Sequence, residues 1–151
     1  MTMKLGIILE SVELLKLVKK IQDKCSSYLD TSVKIVDLDD ETYKNKFDDS
    51  YAHYNKTDNT IYFNAYKLSF HYDKKRIIAH EFGHVIEDRV LNKHHYDFIK
   101  LWDTCSSKLD GPQRHNVSEG FAELFAIFIT DNNKFKRITN NANSEFAEML
   151  E

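Results

Sequence analysis

The chain has 151 residues, enough to bury one core and too few for two domains of ordinary size. Its 42% hydrophobic and 13% aromatic content implies a folded globule and excludes a disordered chain. Twenty-one basic against 24 acidic side chains give a net charge of -3, which leaves no electrostatic footprint for nucleic acid beyond a local patch at Lys74-Lys75-Arg76.

The opening "MTMKLGIILESVELL" carries an apolar run that Glu10 interrupts, too short for a membrane span and without a small-residue cleavage site. The expectation is a monomer without membrane contact, cytoplasmic as the sequence stands and secreted if a signal peptide has been removed. Residues 10–24 read as an amphipathic helix with Val12, Leu15, Val18 and Ile21 or Gln22 on its apolar stripe. Cys25 and Cys105 lie too far apart for a thiolate metal motif and read as two partly buried thiols or one optional disulfide. "SVKIVDL", residues 32–38, reads as a strand, and the acidic stretch after it as a solvated loop or short helix. Asn55 to Asn59 is turn-forming between two runs of aromatic and β-branched residues, so a hairpin is predicted. In its second run Ile61 and Phe63 would face one side, Tyr62 and Asn64 the other.

From Asp73, a good N-cap, the period changes to helical, with Ile78, Phe82, Val85 and Arg89 on one stripe. A second helix is predicted from Tyr96 to Ser107, then a break at "KLDGPQRHNVS". "EGFAELFAIFIT" is apolar on nearly all sides and should be a central buried helix, with a last short helix at 143–150. One proline and four glycines leave few breaks, so a single α+β domain spanning 1–151 is expected.

Within "RIIAHEFGHVIED", His80, Glu81 and His84 form H-E-x-x-H. Four residues apart on a helix, the two imidazoles share a face and can aim at one zinc ion. Glu81 projects beside that ion, where a carboxylate can serve as general base. A chance occurrence is expected in roughly 2% of shuffled chains, so context has to decide. The metzincin spacing needs Gly at 87 and His at 90, but Glu87 and Val90 stand there, and His94 and His95 fall at an exposed helix end. Glu119, on the apolar helix 35 residues after His84, is the candidate third ligand. Glu123, one turn on, is the candidate acceptor for a ligating histidine; the bland reading of this pair is a helix ion pair with a basic side chain.

H-E-F-G-H followed by an E-x-F-A-E-x-F helix resembles the catalytic domain of anthrax lethal factor and the clostridial Pro-Pro endopeptidases. About 20 positions carry specific signal. The resemblance implies a compact zincin-like fold: an N-terminal helix, a small mixed sheet with an edge strand, an active-site helix and a glutamate-bearing helix. It implies a zinc endopeptidase acting on a protein or peptide, with His80, His84 and Glu119 as ligands, Glu81 as base and Glu123 in support. The substrate would lie along an edge strand, here "TIYFN", with Tyr62 and Asn64 lining subsites. One departure stands out: the family's oxyanion-stabilising tyrosine is replaced by Pro112. His115 is the candidate substitute, with Tyr54 and Tyr62 as alternatives. The competing expectation is a non-catalytic or regulatory zinc-binding relative, akin to intracellular repressor-cleaving metallopeptidases, whose glutamate helix follows sooner. Retention of Glu81 favours catalysis, since a structural zinc site has no use for it.

Overall fold

The computed structural model describes residues 2–29, 32–109, 111 and 115–151, with side chains from residue 12 onward. Helix α1 (Thr2–Cys25) buries Leu14, Val18, Ile21 and Cys25. Val12 and Leu15, expected on the buried stripe, are exposed instead. The helix carries apolar side chains on two adjacent stripes, and packing against the long helix α4 (Lys74–Cys105) selects the one that contains Leu14.

Three strands follow: β1 (Lys34–Leu38), β2 (Ala52–Asn55) and β3 (Thr60–Asn64). The Asn-rich turn closes the β2–β3 hairpin as predicted: Asn55 Oδ1 accepts the Thr57 N–H at 3.0 Å, and Asn59 takes a left-handed φ of 50°. The sheet order is β1-β3-β2, with β1 parallel and β2 antiparallel to β3. "TIYFN" is therefore the middle strand, which corrects its expected place at the edge; β2 is the edge that packs on α4.

All five β3 residues are buried, so both faces of the strand are covered. The reason is helix α2 (Asp40–Lys46), formed in the acidic stretch and capped by Asp39, whose carboxylate accepts the Thr42 N–H at 2.8 Å. It covers the second face of β3. Phe47 packs tilted against the Tyr62 ring with centroids 4.9 Å apart, and Asn64 Nδ2 donates to Asp40 Oδ1 at 2.8 Å. Tyr62 and Asn64 are thus packed under α2 rather than free to line a substrate groove.

After the single turn of α3 (Ala65–Leu68) comes the long helix α4 (Lys74–Cys105). It breaks at His94, with φ −124° and ψ 29°, so the two helices expected there share one axis only in part. Asp73 precedes α4, but its carboxylate makes no capping bond; its N–H donates instead to His71 Nδ1 at 2.9 Å. Helix α5 (Val117–Thr130) is buried from Gly120 to Ile127 and packs along α4. Two further helices close the core, α6 (Asn132–Thr139) and α7 (Asn143–Leu150). Phe121 lies 5.3 Å from the Phe98 ring and 6.0 Å from Phe146, which links α4, α5 and α7. Arg89 donates to the carbonyls of Tyr28 and Leu150 at 2.7 and 2.9 Å, tying α4 to the turn after α1 and to the end of α7.

The architecture is α+β, mostly helical with one small mixed sheet. Both cysteines are free and buried, and burial pushes their thiols up to about 12 for Cys25 and about 11 for Cys105. Among the described residues no helix is long and apolar enough to cross a membrane.

Candidate metal centre

Helices α4 and α5 approach closely because small residues meet at their crossing. A Cβ built on Gly83 would lie 2.8 Å from Ala122 Cα, closer than real side chains come. This contact sits between His80 and His84 on one helix and between Glu119 and Glu123 on the other. The side chains to either side are thereby pressed into one cluster. Asn116 caps α5 by accepting the Glu119 N–H at 3.1 Å, which fixes the turn that presents the Glu119 carboxylate.

The two histidines converge on that carboxylate. His80 Nε2 is 3.0 Å from Glu119 Oε2, and His84 Nε2 is 3.1 Å from Glu119 Oε1. Their other ring nitrogens are held from behind: His80 Nδ1 lies 3.0 Å from Glu123 Oε2, and His84 Nδ1 lies 3.2 Å from Glu87 Oε1. Arg76 Nε in turn donates to Glu123 Oε1. His80, Glu81 and His84 offer ligand atoms within 4.8 Å of one another. Glu81, however, points its Oε2 at the Tyr54 N–H of β2, 2.9 Å away, while Glu119 touches both Nε2 atoms. Glu119 therefore completes the set of facing donors, and Glu81 stands beside it.

The electrostatics follow from burial and charge. Desolvation pulls the His80 imidazole down, but Glu119 and Glu123 outweigh it and hold its pKa up at about 9. His84 is likewise held at about 10 by Glu119 and Glu87 against the same desolvation. The two imidazoles keep the Glu119 carboxyl well below the usual range. Burial raises Glu123, but His80 and Arg76 prevail and lower it.

A cleft of 520 Å³ opens over His80, Glu81 and Glu123, walled by Tyr51, His71 and Arg76 among others. The structure brings together His80, Glu81, His84, Glu119 and Glu123, but not the remaining candidates. His115 is exposed in the turn before α5. The Tyr54 and Tyr62 hydroxyls donate to Asn59 at 2.7 Å and Asp58 at 2.5 Å, so both are engaged at the hairpin turn. Tyr62 and Asn64 lie buried under α2, away from any edge. Pro112 lies outside the described residues.

Three contributors escape a sequence reading. Glu87 had a signal, since it falls three residues after His84 on the same helical face. Arg76, four before His80, had the same signal. The Tyr54 N–H had none, because it depends on how the sheet docks against α4. Comparisons with protein-family models, curated proteins and solved structures gave no match to this chain.

Proposed function

We propose that the chain is a zinc-dependent endopeptidase with a zincin-like fold, of the kind its motifs resemble in lethal factor and the Pro-Pro endopeptidases. One observation carries the reading: both histidine Nε2 atoms face a single Glu119 carboxylate while both Nδ1 atoms are backed by other carboxylates. Ligands at 2.0–2.1 Å around a tetrahedral zinc stand about 3.3 Å apart. The 3.0 and 3.1 Å separations found here fit that spacing. Half-buried imidazoles with backed Nδ1 atoms are also the donor chemistry that zinc selects. His80, His84 and Glu119 would hold the ion, with Glu123 and Glu87 fixing the histidine tautomers.

Zinc, when bound, supplies Lewis acidity for the scissile carbonyl and for the attacking water. Glu81 does the proton work. The Tyr54 N–H holds Glu81 Oε2, which leaves Oε1 to take a proton from that water and return it to the departing amine nitrogen. The β2 edge beside Glu81 is where an extended peptide would pair, in place of the β3 strand first expected. A purely structural zinc site would give Glu81 no such task.

The test joins metal analysis with a peptide library. The purified protein should hold about one zinc per chain, and His80→Ala or Glu119→Ala should lose it. Glu81→Gln should keep zinc and lose cleavage by at least ~100-fold, the lower bound for a general base. A Glu81→Gln variant as active as the parent would sink the mechanism.

A further inference from the structure

The cleft beside Glu81 contains two hydrogen-bond donors whose ends are open. Arg76 uses only its Nε, on Glu123; its two terminal nitrogens have no hydrogen-bond partner among the described residues. Its side chain is 24% exposed and lines the cleft, so those nitrogens reach its space. His71 lines the same cleft, and its tautomer follows from geometry. A backbone N–H can only donate, so His71 Nδ1, which receives the Asp73 N–H at 2.9 Å, must be an acceptor. In a neutral imidazole the proton is then on Nε2, which is a donor without a partner among the described residues. The His71 ring is held in place by Tyr51, edge-on at 4.8 Å, and by Tyr72, stacked at 4.7 Å. Two fixed, donor-only ends in one cleft call for a ligand that only accepts.

We propose that Arg76 and His71 form a subsite for a carboxylate of the bound peptide, so that the enzyme selects substrates with an acidic group near the scissile bond. This rests on the endopeptidase reading of the same cleft. Guanidinium is suited to the task because its planar fork pairs carboxylates in two parallel bonds. The register follows from the helix. Arg76 lies four residues before His80, about 6 Å along α4. An extended peptide covers about 6.6 Å in two residues, so the acidic group sits about two positions from the cleaved bond. Asp73 lines the same cleft and opposes an anion, which makes it a natural control.

Two peptide libraries distinguish the sources of the carboxylate. One is blocked at both ends with internal residues varied; the other has neutral side chains and free C-termini. If an acidic side chain is read, Asp and Glu are enriched about tenfold at one position of the blocked library, the low end of a charge-assisted hydrogen bond. If a terminal carboxylate is read, only the free-ended library is cut, at a fixed distance from its end. Either preference should vanish in Arg76→Gln, fall in His71→Ala and sharpen in Asp73→Asn. Because a ratio between paired peptides is read, any general loss from disturbing the Arg76–Glu123 contact drops out. Cleavage with no acidic preference, or a preference unchanged in Arg76→Gln, overturns the subsite. If neither library is cut, the endopeptidase reading fails, and the subsite is judged alone by NMR titration with N-acetylglutamate α-amide against N-acetylglutamine α-amide. Shifts at the Arg76 and His71 side chains with the acid alone would uphold it, and their absence would overturn it.

Discussion

The glycine of H-E-F-G-H can be tested as the spacer of the metal centre. Replacing Gly83 by Ala puts a Cβ 2.8 Å from Ala122 Cα, and both the nearby Ala122 carbonyl oxygen at 3.1 Å and Ala122 Cβ at 3.3 Å are also too close. Carbon atoms prefer separations of about 3.5–4.0 Å, so the helices must part by about 1 Å or slide. Overpacking of this kind costs about 1–3 kcal/mol, while alanine regains about 1 kcal/mol of helix propensity over glycine. The net loss is then 0 to about 2 kcal/mol, a fall in Tm of at most about 8 °C for a chain of this size.

The effect on metal should be far larger than the effect on the fold. His80 and His84 ride on α4 and Glu119 on α5, so the same 1 Å separates two of the proposed ligands from the third. Zinc–ligand distances tolerate only about 0.2 Å. Zinc affinity should fall about 10–100-fold, the range seen when the support of a ligand is lost. Competition with a chromophoric chelator reads the affinity, and thermal unfolding with excess EDTA reads the metal-free fold. A Gly83→Ala protein with unchanged zinc affinity and a raised Tm would refute the idea that this contact sets the ligand spacing.

Zinc uptake should release protons, because metal-free His80 and His84, with pKa values held up at about 9 and 10, are both protonated at pH 7. Affinity should thus climb by up to about two log units per pH unit between pH 7 and 9, and calorimetry in buffers of different ionisation enthalpy counts the protons. Raised folded values also stabilise the metal-free protein fully below pH 6.5, and that contribution fades as pH rises through about 9 to 10, visible as a falling Tm in EDTA. Asn116→Ala removes the cap that receives the Glu119 N–H and should cost about 1 kcal/mol and weaken zinc, whereas Asn116→Asp keeps both; equal losses in the two would discount the cap. Tyr54→Pro, on an edge strand that accepts proline, deletes the N–H that holds Glu81 together with the ring and its hydroxyl bond to Asn59; kcat should drop about tenfold with zinc content unchanged, and Tyr54→Ala, which loses the ring but keeps the N–H, should stay near the parent.

What the sequence disclosed was what short stretches determine. The hairpin was legible because Asn55 and Asn59 carry turn chemistry of their own, and α5 because a stretch apolar on nearly all sides follows a polar break. Helix α6 was overlooked although it had signals at both ends. Asp131 caps it by accepting the Lys134 N–H at 3.1 Å, and Asn140 ends it with a left-handed φ of 55°. Its lysines and arginine hid a buried pair, Phe135 and Ile138. The place of "TIYFN" was beyond reach for another reason. Which strand lies in the middle depends on β1 crossing over to pair in parallel, a contact between segments some 25 residues apart that leaves no local mark. Once β3 is central and α2 lies over it, Tyr62 and Asn64 lose any route to a substrate.

Among the described residues, Glu81, Glu87, Glu119 and Glu123 meet two imidazoles and one permanent cation, Arg76, in a half-buried space. Four carboxylates so placed would repel unless balanced, and the two raised imidazoles supply that balance when metal is absent. Zinc carries two charges and displaces two protons, so the exchange leaves the total charge of the cluster unchanged. The same ion pairs that draw His80 and His84 onto Glu119 therefore hold α4 against α5 before the metal arrives. On this account metal binding should be nearly free of conformational change: far-UV circular dichroism should not move on zinc addition, even as Tm rises. A protein that gains helix with zinc would show that the carboxylates, rather than the protons, decide the metal-free state.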